Sequence, residues 1–350
     1  MKRITAFFAA ALLLALAGYF VLRDDVGPTS PSAAQPAATA TVSVVPSAGP
    51  VRELRKVKLR LSWVHDLAYA GIYLAKDKGY FEQEGLDVTL QPGGFGMDPI
   101  KLVASGSEEF GMTGAGNLLL ARAQGIPIVA IGAYFQNDGI GYMTRKDSGI
   151  TSFKQFKGKR VGVQTGGDTD TLYRALLKLN GMTPKDVKEV PIQYDLATFL
   201  SNQIDVQPGY VTNQPITLAG KGVETNVITA ASEGVKFYGS VFFSNEQLIQ
   251  EDPETVARFM RALQRGWKLF FESKDEAVAV SRKWAPEFDP KDLPKIYDAA
   301  MPLIKGDTPG LPINGMEMER WQSTEKVLRD AGLLKQDADL SKAFTTRFVK

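Results

Sequence analysis

The chain has 350 residues, 44% of them hydrophobic and 23% charged, and its 41 Lys plus Arg against 39 Asp plus Glu leave a formal net charge of +2. That length has room for two globular domains, and the even mixture of signs lacks the clustered basic face of a nucleic-acid binder. With no cysteine and a single histidine, disulfides, thiolate metal sites, a cysteine nucleophile and lipid attachment at cysteine are excluded, and a zinc site would need carboxylates for nearly all its ligands.

In chain order, Met1-Lys2-Arg3 is basic, Ile4 to Leu22 is an apolar run of nineteen residues, and Arg23-Asp24-Asp25 ends it. Residues 1–23 therefore read as a signal peptide or a membrane anchor. Ala15-Leu16-Ala17 offers a small-x-small cleavage site, yet the run exceeds the usual hydrophobic region of roughly 7 to 15 residues and approaches the roughly 20 that span a bilayer, so both readings stay open. Residues 24–56 read as a linker, rich in Pro, Ala, Ser and Thr as far as 51, with prolines at 28, 31, 36, 46 and 50. Such a composition cannot bury enough apolar surface to fold, and as a flexible coil it reaches roughly 30 Å.

From Val57 the text alternates between the two periodicities. Val57 to Leu61 reads as a strand, and a polar, aromatic turn through Trp63 and His65 leads into a helix ending at Gly79, with Lys76 and Lys78 suiting its C-terminal dipole. Leu86–Leu90 (strand), Asp98–Ala104 (helix), Phe110–Met112 (strand), Asn117–Gln124 (helix) and Val129–Ala133 (strand) follow. A second unit runs from the strand Arg160–Val163 through Gly166-Gly167-Asp168-Thr169 into a helix to Leu179, with Asp168 or Thr169 as N-cap. A helix over Leu196–Asn202 precedes Gly209-Tyr210, and Asn213-Gln214-Pro215 opens another. Tyr238 to Phe243 is strand-like and marks a return to the first unit. The last third is helical: Val256, Phe259, Met260, Leu263, Trp267, Phe270 and Phe271 form a core stripe behind Pro253-Glu254, and Met318, Trp321 and Leu328 another.

Repeated βα units specify an α/β fold with mainly parallel sheets flanked by helices, and such sheets bind ligands at the carboxyl ends of their strands. The residues at those ends are glycines, amides and aromatics. Trp63, Tyr69, Asn117, Gln136, Tyr194, Tyr210, Asn213 and Tyr238 are the polar or aromatic candidates, and Gly166, Gly167, Asp168 and Thr169 form a turn whose N–H groups are free to hold a carbonyl, carboxylate or phosphate. The spacing is neither that of a phosphate loop nor of a dinucleotide fingerprint. No nucleophile elbow, base and carboxylate assemble into a catalytic set. Aromatic plates with a few amides suit a planar, largely uncharged heterocycle.

The pattern Trp63-x-His65, Gly71-x-Tyr73-x-Ala75, Gly79-Tyr80-Phe81, Gly85-Leu86-Asp87-Val88 resembles the periplasmic substrate-binding proteins of ABC importers in the family shared with thiamine-pyrimidine synthases. Ser105-Gly106 with Phe110-Gly111, Gly125-Ile126-Pro127, Gly149-Ile150 with Phe156 to Val163, and Asn213-Gln214-Pro215 match in the same order, over about residues 57 to 345. The resemblance implies a two-lobed type II periplasmic-binding fold, with residues 57–140 plus 238–350 in lobe 1 and 141–237 in lobe 2. It implies a monomeric extracytoplasmic protein, periplasmic or held by an N-terminal anchor, that needs no cofactor, binds a thiamine pyrimidine precursor as its first expected ligand, with riboflavin the ligand of some relatives, and docks on a membrane permease. Carried over by position, Trp63 and Tyr69 would stack on the ring, with His65 as a hydrogen-bond partner, and Gly166 to Thr169, Tyr194 and Asn213 would close on it.

Two departures bear on the ligand: relatives often have Asn-Glu-Pro where Asn213-Gln214-Pro215 stands, and an Asp where Ser240 stands, so charge is replaced by neutral groups. A tethered sensor of the same fold is the alternative reading. A thiamine-pyrimidine synthase, in which His65 would be consumed and pyridoxal phosphate bound, is disfavoured by the missing cysteine-rich motif and the export leader.

Overall fold

A computed structural model describes residues 53–349 apart from Phe95 and Tyr194. The signal or anchor reading, most of the linker and the Tyr194 assignment lie outside the described residues.

Among the described residues, ten strands form two five-stranded sheets. The first has the order β2-β1-β3-β10-β4 and contains β1 (Arg55–Arg60), β2 (Leu86–Gln91), β3 (Phe110–Thr113), β4 (Ile128–Phe135) and β10 (Ser240–Asn245). The second has the order β7-β6-β8-β5-β9 and contains β5 (Ile140–Arg145), β6 (Arg160–Val163), β7 (Lys188–Pro191), β8 (Val206–Tyr210) and β9 (Thr225–Thr229). Each sheet is parallel except for one strand: β10 runs antiparallel to β3 and β4, and β5 antiparallel to β8 and β9. Those are the two strands by which the chain enters a sheet from the other one. The rest are joined by helical crossovers, as parallel pairing requires.

The first strand begins at Arg55, before the Val57 expected from alternation. Arg55 and Lys56 pair with Leu86 and Asp87 through their backbones while their side chains stay exposed, so strand pairing extends into residues whose polarity reads as linker. Strands β5, β7, β8 and β9 are also not visible as elements in the sequence pattern.

The two crossovers, 136–139 and 237–239, lie side by side. Gly239 donates its N–H to Phe135 O at 3.0 Å. A Cβ on Gly239 would lie 2.7 Å from Asp138 Cα and 3.0 Å from Asn137 O. Glycine is therefore required for the segments to pass this closely.

Apolar faces of the helices cover the first sheet. The helix Pro253–Glu272 buries Val256, Phe259, Met260, Leu263, Trp267 and Phe270, and its Trp267 packs directly on Gly71 of the helix Ala70–Asp77. The second sheet has its own smaller core around Tyr142, Phe153, Phe156, Tyr173 and Leu176. Among the described residues no helix is long and apolar enough to cross a membrane.

Candidate functional site

Chain geometry brings the carboxyl ends of β1, β3, β6 and β8 to one cleft. Its outer compartment, about 670 Å³, is lined by Trp63 and Asn117 from the first-sheet side and by Gly166, Gly167, Asp168, Thr169 and Tyr210 from the second. An inner chamber of about 40 Å³ is lined by Asp66, Tyr69, Tyr134, Tyr210, Asn213 and Ser240. Ser62, Trp63 and Tyr210 line both, so the two compartments adjoin.

Trp63 is set by the loop after β1. Its carbonyl accepts the Gly93 N–H at 2.9 Å, which ties the loop ends of β1 and β2 together. Beneath them Arg60 donates to Glu108 Oε2 at 2.9 Å and to Pro92 O at 2.6 Å. Both members of that ion pair are buried, Arg60 8% and Glu108 3% exposed, so each compensates the other's desolvation.

The next turn, Leu67–Tyr69, is started by Asp66, whose Oδ1 accepts the Ala68 N–H at 2.8 Å. Tyr69 exchanges a hydrogen bond with Ser62 Oγ at 2.9 Å. Its ring stacks on Tyr134 at 5.6 Å, and the Tyr134 hydroxyl donates to Ala68 O at 2.6 Å. The chamber is thus an aromatic wall with one carboxyl, and the Asn213 side chain reaches that carboxyl from the second-sheet side. Burial pushes the Asp66 carboxyl up to about 6 against the opposing effect of the Ala68 and Asn213 hydrogen bonds.

A second carboxylate spans the cleft. Asp168 accepts the Gly114 N–H at 3.1 and 3.0 Å and the Asn117 Nδ2–H at 2.6 Å, and Thr171 Oγ1 donates to Asn117 Oδ1 at 2.8 Å. A Cβ on Gly114 would fall 2.2 Å from Asp168 Oδ1, so only glycine admits the carboxylate there. The sequence expectation that Asp168 or Thr169 caps its own helix is corrected here. That helix, Gly167–Leu179, starts behind Gly166, whose N–H is taken by Asp170 Oδ2 at 2.9 Å. Asp168 is left to cap the helix Ala115–Ala123 of the opposite side. Burial pushes the Asp168 carboxyl up to about 6, with the Gly114 N–H opposing.

Three of the candidate residues are placed elsewhere. His65 Nδ1 lies 3.0 Å from the Tyr73 hydroxyl, and its ring lies 5.6 Å from that of Trp284. Desolvation lowers its pKa, against the charge of Glu287, and it lines neither compartment. Gln136 is 3% exposed and donates from Nε2 to Gly315 O at 2.9 Å. Tyr238 is fully buried, its ring 5.7 Å from Trp321 and its hydroxyl accepting the Glu317 N–H at 2.6 Å. These last two sit where a strand ends, but the segment 306–321, remote in sequence, covers them.

Several lining residues escaped the sequence reading: Asp66, Tyr134 and Met97. Asp66 was legible as an Asx turn opener, and Tyr134 sits at the end of the β4 text. Of the two departures, Ser240 does face the chamber and donates to Thr113 O at 3.2 Å. Gln214 instead is 6% exposed and accepts the Tyr210 N–H at 2.7 Å.

Proteins similar to this chain include three relatives and one solved structure. A riboflavin-binding protein RibY from Chloroflexus aurantiacus is 29% identical over 331 residues, 92% of this chain and 93% of that protein. A formylaminopyrimidine-binding protein from Halalkalibacterium halodurans is 24% identical, over 84% and 90%. A 4-amino-5-hydroxymethyl-2-methylpyrimidine phosphate synthase from Legionella pneumophila is 24% identical, over 84% and 92%. The periplasmic aliphatic sulphonate binding protein SsuA from Escherichia coli superposes with a TM-score of 0.65 at 16% identity, covering 83% of this chain and 91% of that one. The two mixed sheets with flanking helices are therefore the periplasmic-binding-protein fold. The NMT1/THI5 like family matches residues 67–277, and the chain belongs to that family.

Proposed function

We propose that this protein is an extracytoplasmic solute-binding protein that captures a flat, largely uncharged heterocycle and delivers it to an ABC permease. The observation that carries the reading is the cleft itself, with Trp63 and Tyr210 common to a compartment of about 670 Å³ and an adjoining aromatic chamber. Ligand pockets run from roughly 300 to 1,000 Å³, and this outer compartment is larger than a single pyrimidine ring needs. It suits riboflavin better than a lone thiamine pyrimidine precursor, and the relatives that bear those two ligand names support the same class. The lobes are 57–140 plus 238–350 and 141–237, hinged at the paired crossovers, and sheet membership supports that division. Trp63 and Tyr69 are the ring-facing residues, with Asn117, Gly166 to Thr169 and Asn213 on the other surfaces of the cleft.

The existence of synthases in the family raises an enzymatic reading. It would need the chain's histidine at the ligand, and His65 is turned toward Tyr73 and Trp284. Titration of the full-length protein with riboflavin, followed by quenching of flavin fluorescence, tests the proposal together with mass spectrometry of small molecules released from freshly purified protein. Saturable 1:1 binding, or a co-purified flavin or pyrimidine, supports it. If neither riboflavin nor any pyrimidine precursor binds, the ligand class is wrong.

A further inference from the structure

We infer that this cleft rejects anionic ligands: it takes the heterocycle without a phosphate or sulfonate group, because carboxylates outnumber cations along its walls and hold part of the backbone N–H groups that would receive one. The inference rests on the heterocycle reading above for its choice of ring, and on hydrogen bonds around the cleft for its charge.

An α/β fold offers anions the N-termini of its helices, where free N–H groups and the helix dipole favour negative charge. Around this cleft one or two N–H groups at each such position are taken by the chain's own carboxylates. Asp66 takes the Ala68 N–H of the turn beside the inner chamber, at 2.8 Å. Asp98 takes the Ile100 and Lys101 N–H groups of the helix Pro99–Ala104, at 3.1 and 3.4 Å. Asp168 takes the Gly114 N–H at the start of the helix Ala115–Ala123, and Asp170 the Gly166 N–H at the start of the helix Gly167–Leu179. In the third case the carboxylate comes from the opposite side of the cleft and sits where a ligand's anionic group would otherwise be received.

The side chains give the same sign. Asp66, Asp98 and Asp168 line the two compartments, and among the described residues Lys101 is the cation that lines them. Three carboxylates less one ammonium leave two negative charges, and Lys101 is itself paired with Asp98 at 3.5 Å with 81% of its side chain exposed. A phosphate ester brought to this cleft would therefore meet like charge in a partly desolvated space, with no arginine fork to receive it.

The test compares riboflavin with riboflavin 5′-phosphate by fluorescence titration of the full-length protein. It adds thermal melts in inorganic phosphate and in the sulfonate MOPS at constant ionic strength. The expected result is that the phosphate ester binds weaker by about tenfold or more, a difference of about 1.4 kcal/mol, and that neither anion raises the melting temperature saturably. Asp98→Asn and Asp168→Asn should each narrow the gap between riboflavin and its ester. Ester binding as tight as riboflavin, or a saturable rise of the melting temperature in phosphate or MOPS, overturns the inference. If riboflavin itself fails to bind, the flavin reading falls, while the melts, which need no ring and no variant, still decide the charge inference.

Discussion

Trp63 and Tyr238 are both aromatic residues next to strand ends, yet they stand in different physics. Trp63 forms a wall of both compartments, whereas Tyr238 is enclosed by Trp321 and the 306–321 segment. A base or flavin ring stacked on an aromatic side chain gains about 1–3 kcal/mol, so Trp63→Ala should weaken flavin binding by about 5- to 150-fold, read as the dissociation constant in the fluorescence titration. Tyr238→Phe leaves the buried Glu317 N–H without its acceptor, which should cost about 1 kcal/mol in urea unfolding. The same variant should bind flavin within about twofold of the wild type, because remote sites add independently. A large affinity loss in Tyr238→Phe would mean that it reaches the ligand after all.

The paired crossovers, at the scale of elements, are where the fold is least tolerant. A methyl group on Gly239 meets backbone atoms of Asn137 and Asp138, which cannot rotate away as a side chain could. Gly239→Ala should therefore destabilise the protein by about 1–3 kcal/mol, the usual cost of overpacking, seen as a lower urea midpoint. Because the lesion lies in both crossovers, it should also alter how fast ligand is captured and released, measurable by stopped-flow quenching. The aromatic stripe of the helix Pro253–Glu272 has a different role. Its residues at spacings of three and four are core, and Trp267 lies against Gly71 so closely that a Cβ there would be 2.2 Å from the indole.

For the whole molecule, partly buried carboxyl groups in and beside the cleft set a pH dependence. Burial pushes Asp138 up to about 7, with the Ile140 N–H opposing and the nearby Asp168 charge adding to the rise, while Asp66 and Asp168 are pushed to about 6. A carboxyl raised above its ordinary value near 3.8 makes the folded state bind more protons than the unfolded chain between about pH 4 and 7. Stability from these groups is therefore fully present below about pH 4 and is lost as pH rises to 7. At about 1.36 kcal/mol per pKa unit, Asp138 alone corresponds to something on the order of 4 kcal/mol. Urea unfolding should show the midpoint falling from pH 5 to pH 8, and Asp138→Asn should flatten that slope. A midpoint that climbs across this interval would show that these carboxyls are not enclosed.

The α/β text, the glycine turn at 166–167, the helix stop at Gly79 and the core stripe from Val256 to Phe270, with Phe271 only partly buried beside it, were all legible in the sequence, because hydrophobic period and turn chemistry are local properties of the chain. Trp63, Tyr69, Asn117, Asp168 and Asn213 were legible as strand-end residues for the same reason, and the structure brings them to one cleft. What local pattern cannot specify is which remote segment will cover a strand end. The tertiary structure alone decided that Gln136 and Tyr238 are covered by the segment 306–321, that His65 turns to Tyr73 and Trp284, and that Asp168 caps a helix of the opposite sheet instead of its own. Side-chain period is fixed by φ and ψ within a few residues, whereas the partners of these groups lie 8 to 219 residues away in sequence, as between His65 and Tyr73 or Trp284, and are chosen only when the two sheets and their helices pack.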